Sequence, residues 1–172
     1  MTRLQGKRLA FLGVFLALAM IFSYLEHLLP IPMPIPGFKL GLCNVIVLFV
    51  AYRMGLFEGA VLSLARVLLS ALLFGSPTGF FFSLFGAALA YGVIILAKLS
   101  LSKRVTFVGA SVLSASAFNV GQILAACILY SDPAPFGYLP YLLFASAIFG
   151  TLTGWLTNLI SSRLEKNGIL RG

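Results

Sequence analysis

Charge is scarce in this 172-residue chain: Asp, Glu, Lys and Arg make up 9% of it, the acids number four, and Asp132 is the sole aspartate. A soluble domain of this length carries roughly a quarter of its residues charged, so a mainly water-wetted surface is excluded. A single aspartate also excludes the carboxylate cluster that would hold magnesium against a diphosphate, and with it prenyl diphosphate synthesis by this chain alone. Histidine is limited to His27, at the end of an apolar run and without a serine-nucleophile motif, which argues against an intramembrane serine protease. Cys43 and Cys127 lie in apolar stretches without Cys-x-x-Cys spacing; they support neither a zinc site nor a disulfide scaffold and read as small packing residues. There is no Gly-x-x-x-x-Gly-Lys-Ser/Thr loop, so energy from ATP would have to come through a partner. No catalytic residue, metal or cofactor is expected.

What the chain has in quantity is apolar length. Hydrophobic residues make up 60% of it, and the mean hydropathy is +1.07. About 20 apolar residues are needed to cross a hydrocarbon core near 30 Å. Cutting at charge, Pro and Gly clusters gives six runs, 9–29, 40–52, 58–74, 78–99, 106–130 and 137–160, of which the second and third are short. The expected fold is a six-transmembrane-helix α bundle forming a single integral membrane domain over 1–172. The first run outlasts the apolar region of a signal peptide, and Glu26-His27 stands where a small-residue cleavage site would be, so it reads as a true span.

The formal charge of +8 invites a nucleic-acid reading, but the cations sit at the ends of apolar runs. Arg3, Lys7, Arg8, Arg53, Lys98, Lys103, Arg104, Arg163, Lys166 and Arg171 all fall on one side of the six-span layout, and only Lys39 lies at the other. Cations are retained in cytoplasmic loops, so both termini are expected in the cytoplasm of a multi-pass cell-membrane protein. The outer loops are then rich in Pro and Gly. Pro30, Pro32, Pro34 and Pro36 alternate with apolar residues, a pattern that predicts a stiff extended strap, either a lid or a rigid connector.

One cation escapes the pattern. Arg66 falls in the middle of the third run, where an isolated charge costs at least about 2.5 kcal/mol and needs a partner. Of the four acids, Glu26 is the best placed, so Arg66 either pairs with Glu26 or binds an anionic or polar solute. His27 reads as a headgroup-region residue. Amides form a second constellation: Asn44, then Asn119 and Gln122 three apart on one helical face, with Asn158 nearer the inner side. Asn119 and Gln122 are candidates for solute contact and Asn158 for interhelical bonding. Small residues at Gly6, Ala10, Gly13 and Ala17 flatten one face of the first helix and invite another helix, internal or foreign; similar spacings recur at Gly86 and Ala90 and at Gly150 and Gly154.

Pro36-Gly37-Phe38-Lys39-Leu40-Gly41-Leu42-Cys43-Asn44 resembles the Pro-Gly-x-Lys-Leu-Gly-Leu-x-Asn signature of the Gx transporter family, also labelled heptaprenyl diphosphate synthase component I. Arg66-Val67-Leu68-Leu69 with Leu72-Leu73-Phe74-Gly75, Phe82-Ser83-Leu84-Phe85-Gly86 and Asn119-Val120-Gly121-Gln122 follow in that family's order. One departure is Phe118, where the family often has His before Asn-x-Gly-Gln. The family is similar to the six-helix S components of energy-coupling factor (ECF) transporters. That resemblance implies a subunit that captures a small solute outside and works with a transmembrane coupling protein and cytoplasmic ATPases. The expected solute site is Lys39, Asn44, Arg66, Asn119 and Gln122, with Lys39 and Arg66 favouring carboxylate or phosphate and the amides fixing orientation, and the resemblance implies a partner-helix interface at Gly6, Ala10, Gly13 and Ala17. The rival readings are a non-catalytic membrane subunit of a polyprenyl diphosphate synthase and a stand-alone facilitator.

Overall fold

The computed structural model describes residues 3–28, 39, 41–74, 76–100 and 106–166. Among them are six α-helices: α1 (Arg3–Leu28), α2 (Asn44–Arg53), α3 (Leu56–Phe74), α4 (Pro77–Ser100), α5 (Phe107–Tyr130) and α6 (Leu139–Lys166), with a 3-10 turn at Ala134–Tyr138 leading into α6. Each apolar run contributes one helix. The proline strap at 30–36, together with Lys103, Arg104 and Arg171, lies outside the described residues.

Five of these helices are long and apolar enough to cross a membrane. The sixth, α2, has only ten residues, about 15 Å at the rise of an α-helix and half of a hydrocarbon core near 30 Å, so five of the six expected spans are met in length. Its start is delayed because Gly41 takes a left-handed backbone, φ +81°, which a helix cannot continue through. A turn then opens α2, with the Asn44 N–H donating to the Gly41 carbonyl at 3.0 Å. The helix stops after Arg53, and Met54 and Gly55 reverse the chain into α3. The break between the apolar runs at 40–52 and 58–74 is thus a turn of two residues, Met54 and Gly55.

Basic residues gather at one end of the bundle. Arg8 on α1 pairs with Glu58 on α3 at 3.8 Å. Arg53 on α2 donates to Ser161 on α6 at 3.5 Å, and Lys98 on α4 donates to the Ala51 carbonyl in the last turn of α2 at 2.5 Å. An ammonium there complements the negative end of the α2 dipole. The N-terminal end of α2 faces the other way, into the middle of the bundle, because Cys43 lies against Arg66 at the centre of α3.

Small residues let α4, α5 and α6 approach closely. A Cβ at Gly121 would lie 2.6 Å from the Phe85 carbonyl oxygen and 2.8 Å from Gly86 Cα, and one at Gly150 would lie 2.7 Å from Val112 Cα. The spacings at Gly86 and Gly150 therefore serve internal contacts. Gly6 and Gly13 have nothing within 4 Å of the same position, and Ala10 and Ala17 are exposed, so the α1 stripe faces away from the rest of the described residues. Gly121→Leu is expected to destabilise the bundle by about 1–3 kcal/mol through overpacking against backbone, read as a lowered melting temperature in detergent. Gly13→Leu should leave it unchanged.

Candidate functional site

Four elements meet at mid-bundle around the N-terminal end of α2. Arg66 from α3 is 0% exposed. Its Nη1 donates to Cys43 Sγ at 2.7 Å, and its Cζ lies 5.9 Å from the centroid of the Phe118 ring on α5, within the range of a cation–π contact. Among the described residues, Nε and Nη2 have no hydrogen-bond partner. Buried donors of a charged group rarely stay unmatched, since each costs at least about 1–3 kcal/mol. Arg66 is therefore a costly group to keep as it stands.

Glu26, 2% exposed near the end of α1, supplies the facing charge. One carboxylate oxygen accepts from the Leu42 N–H and the other from the Cys43 thiol at 3.7 Å. A carboxylate beside the first backbone N–H groups of a helix satisfies orphan donors and suits the positive end of the dipole. Glu26 and Arg66 do not form a direct salt bridge. They meet at Cys43, whose sulfur donates to the acid and accepts from the base. Cys43 is a bridge as well as a small packing residue.

The stretch entering α2 is non-helical yet buried among helices, where backbone groups must find partners inside the protein. Side chains provide them. The Lys39 N–H donates to Gln122 Oε1 at 2.9 Å, and Gln122 Nε2 returns a bond to the Lys39 carbonyl at 2.7 Å. One amide side chain thereby imitates the two-way exchange of a neighbouring β-strand. Lys39 Nζ donates to Ser70 Oγ on α3 at 2.7 Å.

The amide pair is occupied by the protein itself. Gln122 Nε2 also donates to Asn119 Oδ1 at 3.0 Å, while Asn119 Nδ2 donates to Ser146 Oγ at 2.7 Å and to the Leu142 carbonyl at 3.2 Å, both on α6. Asn119 thus ties α5 to α6 and Gln122 latches the segment at Lys39. Asn44 differs: buried at the start of α2, its Nδ2 has no partner among the described residues. Asn158 is exposed on α6 and His27 is exposed at the end of α1.

The structure therefore brings Lys39, Asn44, Arg66, Asn119 and Gln122 into one neighbourhood and adds Glu26, Cys43, Ser70 and Phe118 to it. Cys43 and Ser70 carried no distinguishing mark as lone small residues; a sequence cue existed only for Cys43, which sits one residue before Asn44 in the resembling motif. A Cβ at Gly41 would lie 2.9 Å from Asn44 Nδ2 and 3.2 Å from Phe118 Cδ1, so the glycine is needed for space as well as for its backbone conformation. Phe118, fully buried, removes any histidine contact from this position.

A family model described as heptaprenyl diphosphate synthase component I matches residues 15–160. No curated protein and no solved structure matches the chain.

Proposed function

The chain belongs to the heptaprenyl diphosphate synthase component I family, and we propose that it acts as the solute-binding subunit of an ECF-type importer, a multi-pass protein with both termini in the cytoplasm. The observation that carries the reading is Arg66: a fully buried guanidinium with two unpartnered nitrogens at mid-bundle. A captured anionic or polar solute would satisfy those donors and relieve the desolvation cost of the charge. Arg66 and Asn44 supply the open donors. Lys39 contributes charge and a latch, and Asn119 and Gln122 hold the frame in which the others are set. The chain is non-catalytic in this scheme and needs neither metal nor cofactor.

A coupling protein and two ATPases would complete the machine. The outward stripe at Gly6, Ala10, Gly13 and Ala17 is the proposed contact with the coupling protein, because small residues permit close helix approach and this stripe has no internal partner among the described residues. Gly13→Trp is expected to weaken co-purification with the coupling protein at least about tenfold while the melting temperature stays put. Retained association would remove α1 from the interface.

The family description favours a second reading, a non-catalytic membrane subunit that associates with another component of a polyprenyl diphosphate synthase. Affinity purification from native membranes separates the two: ATPase subunits in the eluate support the importer, and a synthase subunit without ATPases supports the rival. Native mass spectrometry of the same sample should find a co-purified small molecule; solute uptake by vesicles lacking every ATPase would point instead to a stand-alone facilitator.

A further inference from the structure

Donors and charges around Cys43 narrow the class of solute, an inference that rests on the capture reading above. Three ionisable side chains besides Cys43 surround the mid-bundle site, namely Lys39, Arg66 and Glu26. Both oxygens of Glu26 are engaged, one by the Leu42 N–H and one by the Cys43 thiol, an arrangement that suits a carboxylate set beside two cations. Two cations against one carboxylate leave a single uncompensated positive charge. A buried excess of one charge is closed by a monoanion, whereas a dianion reverses its sign and leaves a new buried charge.

The guanidinium geometry agrees with that count. Nη1 is committed to Cys43. The unpartnered pair, Nε and Nη2, forms the side-on edge of the guanidinium, two roughly parallel N–H donors that match the two oxygens of one carboxylate. Lys39 Nζ points to Ser70 at 2.7 Å and leaves Arg66 as the principal anion contact. The Phe118 ring beside the guanidinium and the unpartnered Asn44 Nδ2 offer an aromatic wall and one further donor.

We propose that the site takes a small organic monocarboxylate, bound side-on by Nε and Nη2 of Arg66, whose remainder is uncharged and carries an acceptor for Asn44. Three probes that share a phenyl ring test this on the purified full-length chain in detergent: benzoate, phenyl phosphate and benzamide, a monoanion, a dianion and a neutral compound. Benzoate should raise the melting temperature at millimolar concentration, with an apparent affinity at least about tenfold above either of the others. Arg66→Lys keeps the charge but loses the side-on fork, and should weaken benzoate at least about tenfold.

Glu26→Gln provides a separate reading, because it retains an acceptor for the Leu42 N–H while raising the site charge by one. It should move the preference from benzoate towards phenyl phosphate by at least about tenfold. No response to benzoate, or an equal or greater response of the wild type to phenyl phosphate or benzamide, overturns the proposal; so does an unchanged preference in Glu26→Gln. A benzoate response that persists when no ATPase co-purifies upholds the carboxylate site and sinks only the importer reading.

Discussion

Arg66→Met is expected to cut affinity for the co-purified solute by at least about a hundredfold while leaving the bundle as stable as the wild type or more so. The two halves of that outcome have separate causes. Hydrogen bonds to a charged group contribute about 1.5–3 kcal/mol each, and Nε and Nη2 can make two such bonds to a solute that methionine cannot replace. Stability runs the other way, because a buried ion with unmatched donors is costly and an apolar side chain of similar length fills the same volume without that cost. Titration calorimetry and thermal unfolding in one detergent measure both. Undiminished affinity in a folded Arg66→Met protein would leave the guanidinium a purely structural role opposite Glu26.

Glu26→Ala should be the most damaging single substitution in the site, at about 3–5 kcal/mol of stability. It orphans the buried Leu42 N–H, removes the acceptor for the Cys43 thiol and deprives Arg66 and Lys39 of their nearby negative charge. The α2 N-terminus also loses the carboxylate that complements its dipole. Most of the loss should be recovered in the double variant Glu26→Ala with Arg66→Met, since the charge that needed compensating is then gone too. A double-mutant cycle reads this as a coupling energy of about 2–3 kcal/mol; strict additivity would mean that the two charges, though both meet Cys43, do not sense each other.

Much of this architecture was legible from residue order. Runs of apolar residues located all six helices, because in lipid the period-independent excess of hydrophobic length carries the signal. Arg66 stood out for the same reason: a charge in an apolar run is rare enough to be read alone. The length of α2 was not legible, since 40–52 is apolar throughout and only the left-handed backbone at Gly41 defers the helix to Asn44. Nor was the division of labour among polar groups. Asn119 and Gln122 share a helix face and bond to each other as their spacing predicts, yet their other hydrogen bonds go to α6 and to the backbone of Lys39, partners 23 to 83 residues away in the chain. Spacing within one helix cannot encode which distant carbonyl lies opposite. The α1 stripe illustrates the same limit, because the sequence flags its flatness and only the fold decides that the flat side is turned outward.

The half-length α2 bears on how the protein is made. A ten-residue helix preceded by non-helical backbone is too short to partition into lipid as an independent unit, so α1 and α3 must be in place to receive it. Even then the Lys39 amide waits for Gln122, which is synthesised 83 residues later. Ribosome-tethered chains that end before Gln122 are therefore expected to leave this stretch open to hydrogen exchange, and chains that include α5 to protect it. Assembly of the bundle would finish from its far end backwards, with the stretch entering α2 bonded last.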